Sequence, residues 1–467
     1  MKKTIAIFLW LMLFFACKKN QAPKDFVIQC PPFGYKDSLV VFKVKAVDPE
    51  GDEISYKFDW GDGNQGDWSP FLPSDSFYSE SHRFSETLKF YVRVKGKDKK
   101  GKESDWQTKE FSVITHTPGK ILWRFFCDEE GDFIASCAID TVDGTIYCGC
   151  DAGHLHALKP DGKERWCFSV NEAISSSPLI NDSRNIIFAT EEGGVYCLSP
   201  GGTLLWSLFL GEEVLSSPAL GSDGSIYLST PDSIFLISSS GQVLASRGRD
   251  GGEGISSPSI DLNGTVFTGG LDFFSAYPPD LGPAKWEILL PDEVRSSPAI
   301  DNLGNVYFGC DNGAIYKDST VIRYLYGPVS ASPVVLENLV IAADEEGYLC
   351  GFTTAGGDSW PRPFSTGGIP STPLISTTGV LYVAVDYGKK QGEDSLFALS
   401  LSTGERLWAT PVKVGSDGLV SSPALSKDGI IYLGEEGGIV AIVGQGKLAS
   451  GNWPMFRGNE RHTGKQR

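Results

Sequence analysis

The 467 residues would make about three ordinary domains, a soft bound because repeat folds run larger. Apolar residues make up 41%, and 54 glycines with 27 prolines suit an all-β chain with many tight turns. The net charge of −17 is uneven: residues 18–119 carry 16 basic and 16 acidic side chains, while residues 120–467 carry 23 and 42, which argues against nucleic acid as a partner.

The chain opens with Lys2 and Lys3, then an uncharged apolar run over residues 5–16. That run fits a signal segment and is short for a membrane span. Cys17 follows Ala16 directly, which resembles the lipobox of bacterial lipoproteins. The resemblance implies cleavage after residue 16, acylation of Cys17 and outer-membrane sorting, since no Asp follows the cysteine. Phe14 and Phe15 depart from the usual pattern, and a plain secreted protein or an uncleaved anchor are the alternatives. Nine cysteines remain after Cys17, an odd number at irregular spacings, and no disulfide is assigned.

Residues 17–24 read as a polar tether. Residues 25–115 read as strands, at 39–47, 55–58, 88–94 and 110–114. Tyr56, Phe58 and Trp60 alternate onto one sheet face, and Asp62-Gly63 marks a tight turn. The segment Tyr56-Lys-Phe-Asp-Trp-Gly-Asp-Gly63 resembles the signature of PKD-like immunoglobulin-type sandwiches. Asp59 and Asp62 are calcium candidates, with hydrogen bonding inside the turn as the alternative reading.

A Ser-Ser-Pro-like tripeptide then recurs, with prolines at 178, 218, 258, 298, 333, 373 and 423. Ser136-Cys137-Ala138 is a degenerate first copy, which makes eight units. Each unit reads as four short antiparallel strands, one propeller blade. Asp143-Gly144, Asp223-Gly224, Asn263-Gly264 and Asp428-Gly429 supply the turn between the first and second strands, expected as two-residue hairpins. The fourth strand often carries Trp: Trp166, Trp206, Trp286, Trp360 and Trp408. Blade eight lacks a fourth strand, whereas residues 121–126, with Trp123, form an orphan one. The expected fold is an all-β chain: a small sandwich followed by an eight-bladed propeller over 119–450, closed by strand 121–126, with a tail at 451–467.

No Trp is followed by Asp, which sets the chain apart from WD40 propellers. Ala398-Leu-Ser-Leu-Ser-Thr-Gly404-Glu-Arg-Leu-Trp408 resembles the pyrroloquinoline-quinone (PQQ) repeat, found in quinoprotein dehydrogenases and in BamB-type assembly lipoproteins. The resemblance covers about 120–450. It implies blade stacking through Gly404 and the tryptophans 123, 166, 206, 286, 360 and 408. Ser400 departs from the Asp common there. The tail Trp453-Pro-Met-Phe-Arg457 resembles those of other such propellers, and Trp453 and Phe456 are expected to dock on the ring.

Catalytic signals are missing. There is no Gly-x-Ser-x-Gly, His-Glu-x-x-His or phosphate loop, and only five histidines. A quinoprotein pocket, by resemblance, needs a Trp floor, a calcium set and often a vicinal Cys pair, and no Cys-Cys occurs. No cofactor is therefore expected, with PQQ plus calcium as the enzymatic alternative. Cys148-Gly-Cys150-Asp-Ala-Gly-His154-Leu-His156 has the residue types of a zinc cluster. However, His156 falls where Tyr196 and Tyr316 fall, and Cys150 matches Cys310, so packing is the reading and no metal is assigned.

The acid is concentrated in turns that share one face of an up-and-down blade. One set includes Asp151, Glu191, Glu192, Asp311, Asp344, Glu345, Glu346, Asp386, Asp394, Glu435 and Glu436. The fourth-to-first-strand set is Glu129, Glu130, Asp132, Glu172, Glu212, Glu213, Asp250, Glu253, Asp292, Glu293 and Asp417. This is the candidate face for a basic partner, with solubility and turn preference as the alternative. Blade seven adds a loop over 386–394, a local specificity element. The expectation is a monomeric, non-enzymatic envelope lipoprotein held to the membrane by its lipid. Its propeller is a binding platform for envelope proteins, in outer-membrane assembly, with a surface adhesin that binds glycans or proteins as the further alternative.

Overall fold

The computed structural model describes residues 20–31, 34–114, 118–127, 131–248, 256–388, 392–414, 421–451 and 453–466. The signal segment, Cys17, Glu129, Glu130, Asp250, Glu253 and Asp417 lie outside them. The chain divides into two units, Met1–His116 and Thr117–Arg467.

The first unit is a two-sheet sandwich. One sheet orders Lys24–Gln29, Leu39–Val47 and Tyr78–Arg83; the other orders Gly34–Tyr35, Gln107–Ile114, Lys89–Asp98 and Ile54–Asp59. Residues of Leu39–Val47 alternate between exposed and buried, as a strand with one core face must. Tyr56, Phe58 and Trp60 are all buried, with Phe42, Phe84 and Phe111 around them. The two calcium candidates are otherwise engaged. Asp59 takes Arg93 and caps the Gly61 amide, while Asp62 accepts from the Asn64 amide and pairs with His82 at 2.7 Å. Burial pushes Asp62 up, but its bonds from His82 and Asn64 outweigh this and hold it below the ordinary carboxylate value. His82 in turn stacks on Trp60, with ring centroids 4.6 Å apart.

The second unit contains eight antiparallel sheets among the described residues. Blade one, for example, orders Ala138–Ile139, Ile146–Gly149, His154–Leu158 and Glu164–Ser169. Second and third strands are buried throughout, whereas fourth strands alternate, because only one side of the outermost strand meets a neighbouring blade. The last sheet takes its fourth strand from the start of the unit: Ile121–Phe126 pairs antiparallel with Gly438–Val443.

The four Asp-Gly and Asn-Gly turns after first strands are longer than two-residue hairpins, whereas blade six, without such a pair, turns through Glu337-Asn338 alone. Ile260 pairs with Val266, leaving five residues between them. Gly264 has a φ of 78°, while Asn263 is not left-handed. Asp261 explains the longer loop: its Oδ1 accepts from the Asn263 amide at 2.8 Å and the Thr265 amide at 2.7 Å. A side chain that satisfies two turn amides removes the need for a tight hairpin.

Two contacts repeat between blades. The first is tryptophan on glycine. Trp123 lies on Gly162, Trp166 on Gly202, Trp206 on Gly241, Trp360 on Gly404, and Trp408 on Gly119. The indole N–H of Trp166 donates to the Pro200 carbonyl at 3.0 Å, and Trp123, Trp206 and Trp360 repeat the bond. Trp360 precedes the fourth strand Phe364–Ser365 rather than lying in it. Trp286 has no such glycine, because blade five turns through Asp318-Ser319, and it rests against Phe267 and Phe274 instead.

The second contact explains the serine motif. The Ser136 amide donates to the Ser177 hydroxyl at 2.9 Å, and Ser177 to Ser217 at 3.0 Å. The relay continues through Ser257, Ser297, Ser332 and Thr372, and the Ser422 amide donates back to Ser136 at 2.9 Å. Ser176, Ser216 and Ser296 work within their own blades, Ser176 donating to the Ala189 carbonyl and accepting from its amide, both at 2.8 Å, whereas Ser256 and Ser421 donate to the Ser296 and Ala135 carbonyls of the next blade.

A methyl at Gly202 would sit 2.7 Å from the Trp166 ring, on a backbone with φ of 80°. Gly202→Val is expected to cost about 1–3 kcal/mol by overpacking, with strain added to it. Urea denaturation should show this. Gly201→Val, where the neighbouring contact is a distant Ser199 hydroxyl, should cost much less.

Candidate binding face and channel

The serine relay lines a central cavity of about 190 Å³. Its wall includes Ser136, Ser177, Ser217, Ser257, Ser297, Ser332, Thr372 and Ser422, with Ile134, Leu215 and Arg295. Arg295 is committed: it pairs with Asp311 at 2.6 Å and Glu345 at 2.8 Å, bridging blades five and six. The described lining holds no carboxylate, tryptophan or cysteine. It therefore offers neither the carboxylate calcium ligands nor the Trp floor that the quinoprotein resemblance implies.

The tail lies across the ends of the first strands. The Val335 amide donates to the Trp453 carbonyl at 2.9 Å, and the Ile375 amide to Pro454 at 2.8 Å. Further along, the amides of Ile139, Ile180, Leu220 and Ile260 donate to Glu460, Arg461, Thr463 and Gly464. One short segment thus ties together first strands of blades one to four, six and seven. Trp453 and Met455 are fully buried, and Phe456 faces the central cavity. His462 is buried too. Burial, then the nearby Arg457 charge, push its imidazole down to about 3 from an ordinary 6.5.

The tail occupies the face of the first-to-second-strand turns, so the acidic turns lie on the opposite face of the ring. Several of the acids there are structural staples. Glu435 is buried and pairs with Arg124 of the closing strand at 2.8 Å. Asp344 is buried, caps the Tyr348 amide at 2.9 Å and the Tyr326 amide at 3.0 Å, and is pushed up by its burial. Asp311 is also raised, by burial that outweighs Arg295. Asp151 is exposed and caps the Asp132 amide at 2.8 Å. Glu172 and Glu212 accept from the hydroxyls of Thr190 and Thr230, each in the next blade.

Asp386 is buried and Asp394 half-buried at the base of the blade-seven loop, where Asp394 accepts from the Tyr387 amide at 2.9 Å. The tip of that loop, 389–391, lies outside the described residues. Glu191 is half-buried, and Glu192, Glu346 and Glu436 are exposed. These last three are, with the exposed Asp151, Glu213 and Asp292, acids a partner can reach. Sequence reasoning did not separate them from the staples, because staple and free acid occupy the same turn positions.

In blade one, His156 is buried against Phe125 and Phe133, with Nδ1 2.7 Å from Glu164 Oε1. His154 pairs with the Ser169 hydroxyl at 2.8 Å. Cys148 donates to the Ala135 carbonyl at 3.3 Å. Cys150 is buried, which pushes its thiol up to about 12.

Residues 109–263 match a family model described as outer membrane protein assembly factor BamB. Among solved structures, BamB from Moraxella catarrhalis matches with a TM-score of 0.58 at 15% identity, over 71% of this chain and 99% of that one. The computationally designed Ika8 protein matches with a TM-score of 0.55 at 16% identity, over 70% and 100%. The PKD domain of an M14-like peptidase from a Thermoplasmatales archaeon matches at 29% identity over 20% of this chain and 98% of that domain, with a TM-score of 0.20. No curated protein matches the chain.

His462 provides a pH test. A base whose folded value is depressed stays neutral when folded, while the unfolded chain takes up the proton. Its contribution is fully present above about 6.5 and is lost as pH falls toward about 3. Wild type is expected to lose stability by at most about 1.4 kcal/mol per pH unit from this group. Urea midpoints at about pH 7 and about pH 5 check this: His462→Gln, whatever its absolute stability, should show the shallower pH dependence.

Proposed function

We propose, starting from a propeller of PQQ-type repeats with the fold of BamB, that this protein is a non-enzymatic scaffold of the bacterial cell envelope. Its propeller is a rigid platform for other envelope proteins in outer-membrane assembly. The observation that carries this reading is the central cavity. Its hydroxyl groups are used to hold the blades together, and its one lining cation is paired with two carboxylates. A site built that way is a fastening rather than a catalytic pocket.

The partner side of the proposal rests on Glu192, Glu346 and Glu436. They are exposed on the face away from the tail, and they fit a partner with a basic surface. Acylation at Cys17, which would hold the platform at the outer membrane, is part of the same proposal.

Two experiments test it. Photo-crosslinking residues placed at the exposed positions Glu213 and Asp292 of the same face in living cells are expected to trap a specific envelope protein. The triple change E192K/E346K/E436K is expected to abolish the adduct while leaving the fold intact. An unchanged adduct overturns the acidic face as the docking site. Separately, PQQ with calcium is expected to leave the tryptophan fluorescence of the purified protein unchanged. Saturable quenching at about micromolar quinone, a normal cofactor affinity, overturns the non-enzymatic reading.

A further inference from the structure

Three metal-ligand side chains meet where the ring closes. Cys127 directly follows the closing strand Ile121–Phe126, which belongs to the last blade. Cys150 and His156 belong to the hairpin of the first blade. The ligand atoms of Cys127, Cys150 and His156 all lie within 4.8 Å of one another. Cys150 and His156 are buried, and Cys127 is half-buried.

The other seams show what these positions normally hold. The residue after the fourth strand makes the same backbone bond in each case: Cys127 to Gly437, Val170 to Gly153, Leu210 to Gly193, Leu290 to Asp272 and Leu325 to Gly313. The position of Cys150 is filled by Thr190 and Thr230 at the next two seams, and that of His156 by Tyr196 and Phe235. Cys310 and Tyr316 meet Leu290 at the seam of blades four and five. Each position taken singly is therefore a packing position. Among the described seams, only that between the last and first blades combines thiol, thiol and imidazole.

The surroundings suit a metal ligand set. His156 Nδ1 lies 2.7 Å from the Glu164 carboxylate, the kind of partner that orients a metal-binding imidazole. Phe125 and Phe133 flank the ring and shield it from water. The backbone of Cys150 is pinned by the His154 carbonyl at 3.0 Å and by the Gly153 and Ile174 amides, each at 3.1 Å. Gly131 leaves room beside the sulfur, since a methyl there would lie 3.1 Å from Cys150 Sγ. A tetrahedral zinc holds such atoms about 3.5–3.8 Å apart, within reach of small side-chain rotations.

We propose that Cys127, Cys150 and His156 form a zinc site that staples the closing strand to the first blade, with Glu164 as the positioning residue for His156. Two thiolates and one imidazole select a borderline-soft ion such as Zn²⁺ over calcium or magnesium. Three protein ligands leave a fourth position for water. The inference is independent of the scaffold role.

The test uses the full chain purified with reductant and zinc, then dialysed. About one tightly held zinc per chain is expected by elemental analysis. Cobalt substitution should produce thiolate-to-cobalt charge-transfer absorption. C127S, a change at a half-buried position, should remove that absorption and lower the zinc content at least tenfold, while C30S in the first unit should do neither. Zinc should also raise the thermal midpoint of wild type and not that of C127S. Three results overturn the proposal: substoichiometric zinc in wild type, zinc content unaffected by C127S, or a Cys127–Cys150 disulfide in protein isolated without reductant.

Discussion

At seven joints among the described residues a blade gives one backbone amide to a hydroxyl on the next, and the ring depends on that bond. A blade is a small sheet with two faces to bury, so it cannot stand alone. The amide just before each proline would be orphaned at the wall of the cavity. A serine or threonine on the neighbouring blade satisfies it. The proline that follows has no N–H of its own, so it adds no further donor to satisfy. The recurring Ser-Ser-Pro is thus a joint: the first serine locks its own blade or ties it to the next, the second accepts from the blade before, and the proline ends the demand.

The same economy explains the acid. In this chain the turn carboxylates accept from amides, hydroxyls and guanidinium groups across blade boundaries. Burial raises Asp311 and Asp344, and their partners keep them tied into the structure. Fewer charges are then free for a partner than the count of acidic residues implies. Those that are free sit on the face opposite the tail, which itself is spent on lacing first strands together.

Closure brings the two ends of the unit together and has chemical consequences. The closing strand brings Arg124 to Glu435, Trp123 to Gly162, and Cys127 to Cys150 and His156. The first and last of these contacts have no counterpart at the neighbouring seams. A ring made of similar joints therefore has one seam at which the two ends of the unit meet.

The sequence by itself determined the architecture. Period-two burial, the roughly forty-residue recurrence of Ser-Ser-Pro and the orphan strand at 121–126 each report a local backbone demand, and local demands are written in neighbouring residues. Stacking tryptophans were legible for the same reason, apart from Trp286, whose glycine is missing from the next blade. What only the tertiary structure decided is which side chains meet across a joint. Asn263-Gly264 looked like a two-residue hairpin because the capping Asp261 lies outside the pair. Glu435 looked free because Arg124 lies 311 residues away in the chain. Cys150 and His156 read as packing positions in the sequence, and Cys127 meets them only once the ring closes. Spacing along the chain carries hydrogen-bonded turns and strands, but a contact between distant residues exists only once the whole ring has folded.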